Sequence, residues 1–359
     1  MGSSVHHLET LLRQAEEERS SSHFAHAARI YKKLSAHPRL DALDRAQALL
    51  GLADMERIQG DFQDSLRHYA QGARTLRTKD PALYWDAQVG WALAARACGR
   101  PMEALAILQK AQAFYKKEKD PGGEAFSHWA LGGTWRIAGN MKKGLQELLI
   151  ALRAFKKLRD PEGIAYTCCA LGGIFRMLGR YDESGKYYRE ANRRMRQRKD
   201  TFGIAYSYCG LGNVERMNDR FRQALPFYKK AEKLYGTIGD RVSYAYTLWS
   251  IGTTHKMLGE YPQAILAFHQ ADDLFRKTGD TRGRIYALLG FAEVRFLQKH
   301  RNKGMDSWRQ AKRIADQSHF TWENLHVRAL TGGKVRDLRG HYRRAGSDFF
   351  PIDFPINWP

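Results

Sequence analysis

Asp80, Asp120, Asp160, Asp200, Asp240 and Asp280 follow one another at intervals of 40 residues without a slip. Gly132, Gly172, Gly212 and Gly252 keep the same interval, and Gly332 returns to it after a gap. A third row is Ala111, Ala151, Ala191, Ala231, Ala271 and Ala311. A period held this strictly predicts a stack of like units, each burying the apolar face of the next, rather than one ordinary core.

Each unit reads as two helices. Asp80-Pro81, Asp120-Pro121 and Asp160-Pro161 each place a capping carboxylate before a proline at the first helical position, where the missing N–H costs nothing. A first helix over about residues 161–178 follows, and Gly179, like Gly99, Gly139 and Gly259, is placed to end it in the left-handed conformation. A second helix covers about residues 182–198. Gly172 falls inside the first helix, where glycine costs about 1 kcal/mol relative to alanine. Close approach of the second helix, through Ala191, explains its repetition.

In residues 205–232, Leu211-Gly212, Phe221, Ala224, Tyr228 and Ala231 stand at the signature spacing of the tetratricopeptide repeat, which the chain resembles over about residues 8–340. The longer period and the junctions Gly239-Asp240 and Gly279-Asp280 are similar to those of LGN/Pins-type and bacterial Rap-type scaffolds. The resemblance implies an all-α, right-handed α-solenoid, a tetratricopeptide superhelix of about eight helix pairs. Residues 1–40 would form a degenerate first pair, 41–318 seven repeats, 319–342 a capping helix and 343–359 an extended tail. The chain departs from the pattern at Glu215 and His255, which replace an aromatic, at Pro226 within a second helix, and at Ala292 in place of glycine.

One row carries charge. Arg96, Arg136, Arg176, Arg216, Lys256 and Arg336 share a repeat position, broken at Phe296 and extended by Arg57 after a one-residue offset. Ten residues earlier lie Phe126, Tyr166, Tyr206, Tyr246 and Tyr286; between the two rows stand Trp129, Cys169, Cys209 and Trp249, then Gly133, Gly173, Asn213 and Thr253. At about 100° per residue these four rows occupy one stripe of the first helix. The resemblance implies that such a stripe lines the concave face, where these proteins hold a peptide. Against this stands the ordinary reading of a repeated tyrosine as core between units. A buried guanidinium needs water or an acid, and the one acidic row of equal period, the aspartates, caps the far end of the same helix. An exposed ladder is affordable, because charges ~10 Å apart in water repel by only about 0.4 kcal/mol. The row is therefore expected to face a wet groove and to attract a carboxylate-rich segment, with the arginine fork taking a carboxylate bidentately.

The balance of charge agrees: 59 Lys and Arg stand against 38 Asp and Glu, a net +21. Such a field attracts acidic protein, nucleic acid or anionic surfaces. Residues 189–199, REANRRMRQRK, form a basic run on a second helix, so the runner-up partner is nucleic acid or a ribosome met through phosphate contacts. No zinc-finger, KH or RNP signature accompanies the run. The sequence has no HExxH or GxSxG, and Gly332-Gly333-Lys334 lacks the rest of a phosphate loop. The histidines lack metal-ligand spacing, and Cys98, Cys168, Cys169 and Cys209 form no disulfide framework. No catalytic role, metal or cofactor is expected. The absence of an apolar leader or an 18-residue apolar run points to a cytoplasmic chain.

Residues 346–359, GSDFFPIDFPINWP, differ in kind. Pro351, Pro355 and Pro359 exclude helix and favour an extended path. Phe349, Phe350, Phe354 and Trp358 either cover the cap in cis or anchor the chain in a partner's groove. The sequence thus reads as a non-enzymatic adaptor or assembly factor that takes an acidic peptide or protein surface, with an RNA-associated binder and a peptide-sensing regulator as alternatives. It leaves the oligomeric state open.

Overall fold

The computed structural model describes residues 2–318, 320–331 and 334–335. Helices α1 (Gly2–Ser20) and α2 (Phe24–Ser35) form the first pair, followed by α3 (Ala42–Gln59) with α4 (Phe62–Lys79) and α5 (Pro81–Ala97) with α6 (Pro101–Lys117). Next come α7 (Pro121–Ile137) with α8 (Met141–Leu158), α9 (Pro161–Met177) with α10 (Tyr181–Gln197), and α11 (Thr201–Met217) with α12 (Phe221–Ile238). The last pairs are α13 (Arg241–Met257) with α14 (Tyr261–Thr278) and α15 (Thr281–Leu297) with α16 (Arg301–Asp316). A short α17 (Thr321–Ala329) and two strands, β1 (Leu330–Thr331) and β2 (Lys334–Val335), complete the described chain. It is an all-α solenoid of eight helix pairs with a C-terminal cap.

The aspartate row sets the joints. The carboxylates of Asp80, Asp120, Asp160, Asp200, Asp240 and Asp280 each accept backbone N–H groups of the following first turn at 2.8–3.0 Å. At the other end of the first helices, Gly99, Gly139, Gly179 and Gly259 have φ between 73° and 88°, values that penalise a Cβ. The inner glycines have the expected packing reason: a Cβ on Gly172 would lie 2.8 Å from the Tyr188 ring of α10. Ala191 is fully buried against the same seam. Pro226 sits within α12 without ending it.

Tyrosines of the repeated row reach the next joint. The Tyr166 hydroxyl donates to Asp200 Oδ2 at 2.8 Å, 34 residues ahead, and Tyr246 stands near Asp280. At the last joint the capping position holds Phe320, and Tyr286 donates instead to Glu323 Oε1 at 2.5 Å. Phe126 has no hydroxyl, so Asp160 lacks this tie.

The superhelix turns far enough to meet itself. Arg241 at the start of α13 pairs with Asp61 Oδ1 at 2.7 Å and donates to the Gln59 carbonyl at 2.9 Å, bridging to the end of α3. The Phe24 and Phe202 rings meet edge to face with centroids 5.8 Å apart. Phe320, Trp322 and Val327 share a core with Met141, Ile137 and Met177, so the cap closes over α7 to α9. A stripe on first helices thereby becomes the lining of an enclosed space.

The cap differs from the expected long helix. It starts at Thr321 but stops at Ala329, and Leu330 and Thr331 pair antiparallel with Val335 and Lys334. The register leaves two residues between the strands, and the sequence there is Gly332-Gly333. Two adjacent glycines weaken a helix by about 2 kcal/mol in all and suit a tight hairpin. The expected tail, residues 343–359, lies outside the described residues.

The joint makes a prediction. Asp160→Ala removes a cap alone and should cost about 1 kcal/mol. Asp200→Ala also strands the Tyr166 hydroxyl and should cost about 1 kcal/mol more. Urea unfolding of both variants with and without Tyr166→Phe measures the difference, which the phenylalanine should abolish for Asp200→Ala and leave unchanged for Asp160→Ala.

Candidate binding cavity

The stripe of first-helix residues lines a cavity of about 300 Å³ on the concave side. Arg136 reaches it from α7, Arg176 from α9, Tyr206, Cys209 and Asn213 from α11, and Tyr246, Trp249 and Ser250 from α13. Tyr188 and Tyr235 of second helices contribute, and α15 adds Arg282 and Tyr286. Trp322 and His326 of the cap form the remaining wall.

The charged row divides into three environments. At its ends, internal carboxylates neutralise it. Arg57 Nη2 pairs with Asp54 Oδ1 at 3.0 Å on its own helix. Lys256 Nζ meets Glu293 Oε2 at 2.6 Å with both side chains almost fully buried. The expectation of a wet row fails at Lys256 and again at Arg216, which is completely buried. There Arg216 Nε donates to the Tyr228 hydroxyl at 3.3 Å and Nη2 to Asn213 Oδ1 at 3.4 Å, and the guanidinium lies over the Trp249 ring. Repeat spacing reveals a row of cations but not acids that occur once, such as Glu293 and Asp54.

The middle of the row is different. Arg96 Nη1 donates to the Ala130 carbonyl at 3.2 Å and to Thr134 Oγ1 at 3.3 Å, and its guanidinium lies 5.9 Å from the centre of the half-buried Trp129 ring. Burial, then Arg136 and Arg57 nearby, push Arg96 down to about 9. Arg136 approaches Met177 Sδ at 3.8 Å. Burial lowers its pKa as well; Tyr206 opposes that shift, while Arg282 and Arg176 add to it. Neither Arg96 nor Arg136 forms an ion pair with a described residue. Arg176 lines the same space. Arg336 lies outside the described residues.

The aromatic rows divide too. Tyr166 is held by Asp200, and Tyr246 packs edge to face on Phe275. Phe126 is exposed and stacks on Trp129 with centroids 5.3 Å apart, away from the cavity lining. Tyr206 is the member left open to the cavity, 37% exposed. Trp249 is 7% exposed and stands beside Tyr286. Its indole N–H, like that of Trp129, has no acceptor among the described residues. Asn213 Oδ1 accepts from Tyr228 at 2.9 Å and Ser250 at 3.2 Å, so its carbonyl is already engaged.

Sequence reasoning missed the far wall. Arg282 Nε pairs with Glu323 Oε1 at 2.9 Å and lies over the Tyr246 and Tyr286 rings. His326 is buried, and burial together with Arg282 holds its imidazole well below the usual range, hence neutral. These residues belong to no row, so only the meeting of α15 with α17 brings them to the cavity. The signal available was the substitution of Phe320 for the capping aspartate, which leaves Tyr286 seeking another acid. The basic run on α10 is paired in part: Arg193 and Arg194 share Glu190, and Arg198 meets Glu162 of α9.

Residues 163–237 and 203–277 match the tetratricopeptide repeat family. Those residues are similar to that family, and the fold of the chain resembles the Rap type. It superposes on a Rap protein complexed with Competence and Sporulation Factor with a TM-score of 0.64 at 13% identity, covering 87% of this chain and 98% of that one. NprR in complex with its cognate peptide NprX gives 0.61 at 15% identity, covering 95% and 97%. The Rap conjugation gene regulator of plasmid pLS20 in complex with the Phr* peptide gives 0.62 at 12% identity, covering 86% and 96%. Comparison with curated protein sequences gives no match. No helix among the described residues is long and apolar enough to cross a membrane.

The buried pair tests the electrostatics of this region. Burial raises the Glu293 carboxyl and lowers the Lys256 ammonium, and each partner opposes the other's shift. A carboxyl with a raised folded pKa favours the folded state below its unfolded pKa, and that contribution fades as pH rises through the folded value. Lys256→Met removes the opposing charge and should cost about 3 kcal/mol near neutral pH. The loss should be smaller at pH ~5, where Glu293 takes up a proton, and larger at pH ~8. Lys256→Met/Glu293→Leu should restore most of the loss and flatten its pH dependence in thermal melts.

Proposed function

We propose that this chain is a non-enzymatic peptide-binding adaptor that holds a short acidic segment in the cavity between α7 and α17. The observation that carries the reading is Arg136: a guanidinium in a half-open, tyrosine-lined space, repelled by Arg176 and Arg282 and in no ion pair with a described carboxylate. A guest carboxylate relieves that repulsion and gains from the reduced dielectric, with gross attraction of about 4 kcal/mol at ~4 Å. A space of about 300 Å³ accepts a few side chains on an extended backbone and not the face of a folded domain, so a peptide is favoured over an acidic protein surface. The peptide complexes of the Rap and NprR proteins of similar fold support a peptide-sensing role. On α10, Arg193 and Arg194 spend their charge on Glu190, which leaves that part of the basic run less to offer a phosphate.

The test exposes the whole chain to a synthetic pool of random octapeptides and identifies bound species by mass spectrometry. Peptides combining Asp or Glu with an aromatic residue should be enriched. Arg136→Glu/Arg176→Glu should weaken the best binder at least ~30-fold, about 2 kcal/mol. Equal recovery by the wild type and this variant would sink the reading.

A further inference from the structure

We infer that the cavity's resident occupant is the chain's own C-terminal segment, residues 346–359, folding back as a tethered competitor of an external peptide. The inference rests on the cavity being a peptide site and adds what fills it first. Position favours it. β2 pairs with β1 at the end of α17, so Val335 lies against Leu330, four residues beyond His326. Trp322 and His326 are a wall of the cavity, and the chain after Val335 therefore starts at its edge. The twelve residues to Ser347 span up to ~40 Å when extended, more than the reach needed to enter a space bounded by that wall.

Charge complementarity is local. Residues 336–345 hold Arg336, Arg339, Arg343 and Arg344 against Asp337, whereas residues 346–359 hold Asp348 and Asp353 and no basic residue. In a chain of net +21 this stretch is opposite in charge to the Arg136 and Arg176 that line the cavity. The basic stretch is repelled by the same field and serves as the spacer outside. Phe349, Phe350, Phe354 and Trp358 match a lining of Tyr206, Tyr246, Trp249 and Trp322. Prolines at 351, 355 and 359 favour an extended backbone, a preference that lowers the entropy lost on entry. Tethering presents the segment at an effective concentration in the millimolar range, so even a weak intrinsic fit keeps the cavity occupied. Within the duplicated FPID-FPIN, the first copy carries Asp353 and the second carries Asn357 at the same place. The first copy is thus the one matched to the arginines.

The experiment uses a fluorescent synthetic peptide of residues 346–359 and three chains: the full chain, a chain ending at residue 345, and the full chain with Asp348→Asn/Asp353→Asn. Anisotropy should show the shortened chain binding at least tenfold more tightly than the full chain. The doubly substituted full chain, which keeps its tail length and cap, should rise toward the shortened one and guards against a truncation that unfolds. A photo-crosslinker at Phe354 of the full chain should label α11 and α13. Equal peptide binding by all three chains, or crosslinks confined to α17, overturns the inference. If the octapeptide pool is still captured in an Arg136-dependent way, the cavity reading survives that outcome. If the shortened chain, folded by circular dichroism, binds neither the pool nor the tail peptide, both readings fall.

Discussion

The carboxylate at each joint governs the rest of the structure. A stacked solenoid has no single core to impose order, so its shape follows from the start point of each first helix and the angle at which the next one joins. Each aspartate fixes the start by accepting first-turn N–H groups. Where a tyrosine reaches the next cap, as Tyr166 does at Asp200, it also sets the neighbouring helix against that start. With the starts fixed at a constant period, equivalent residues of successive first helices come side by side on the concave side. The cationic row and the aromatic row inherit their geometry from this joint.

The positive interior is a cost the fold carries in the middle and cancels toward the ends. Asp54 and Glu293 neutralise Arg57 and Lys256 within the protein. Arg96 and Arg136 instead use neutral partners: a carbonyl, a hydroxyl, a thioether and an indole face. Such partners satisfy the guanidinium's N–H groups in part without removing its field. A carboxylate buried beside Arg136 would relieve the repulsion but would itself have to be desolvated, as Glu293 is beside Lys256. The middle of the row keeps its positive field, and the ends do not.

Much of this was legible in the sequence because it repeats. The aspartates, the Gly179 class of helix ends, the helix pairs and the stripe of Arg136, Arg176, Tyr206, Asn213 and Trp249 are periodic, and period translates directly into facing positions. What escaped was aperiodic or long-range. Glu293, Arg282 and Glu323 each occur once, and their partners are known only after α13, α15 and α17 are stacked. Phe126 shares a row with Tyr206 yet stacks outward on Trp129, because without a hydroxyl it has no tie to the aspartate ahead. The cap failed as a long helix where Gly332-Gly333 outweighed the repeat position of Gly332, a local preference overriding the period.

Closure decides what kind of guest the cavity can take. An open solenoid offers a groove that a folded partner can straddle, but here Phe320 and Trp322 pack onto the units of α7 and α8, and Arg241 reaches back to Asp61. Both closures rest on apolar packing. The cap shares a core with Ile137, Met141 and Met177, and across the turn Phe24, Tyr31 and Leu34 share one with Ala205, Tyr235 and Ile238. The Arg241–Asp61 pair is more than a third exposed on both side chains and adds at most ~1 kcal/mol to that packing, so burial of apolar surface, and not the ion pair, holds one turn against the next.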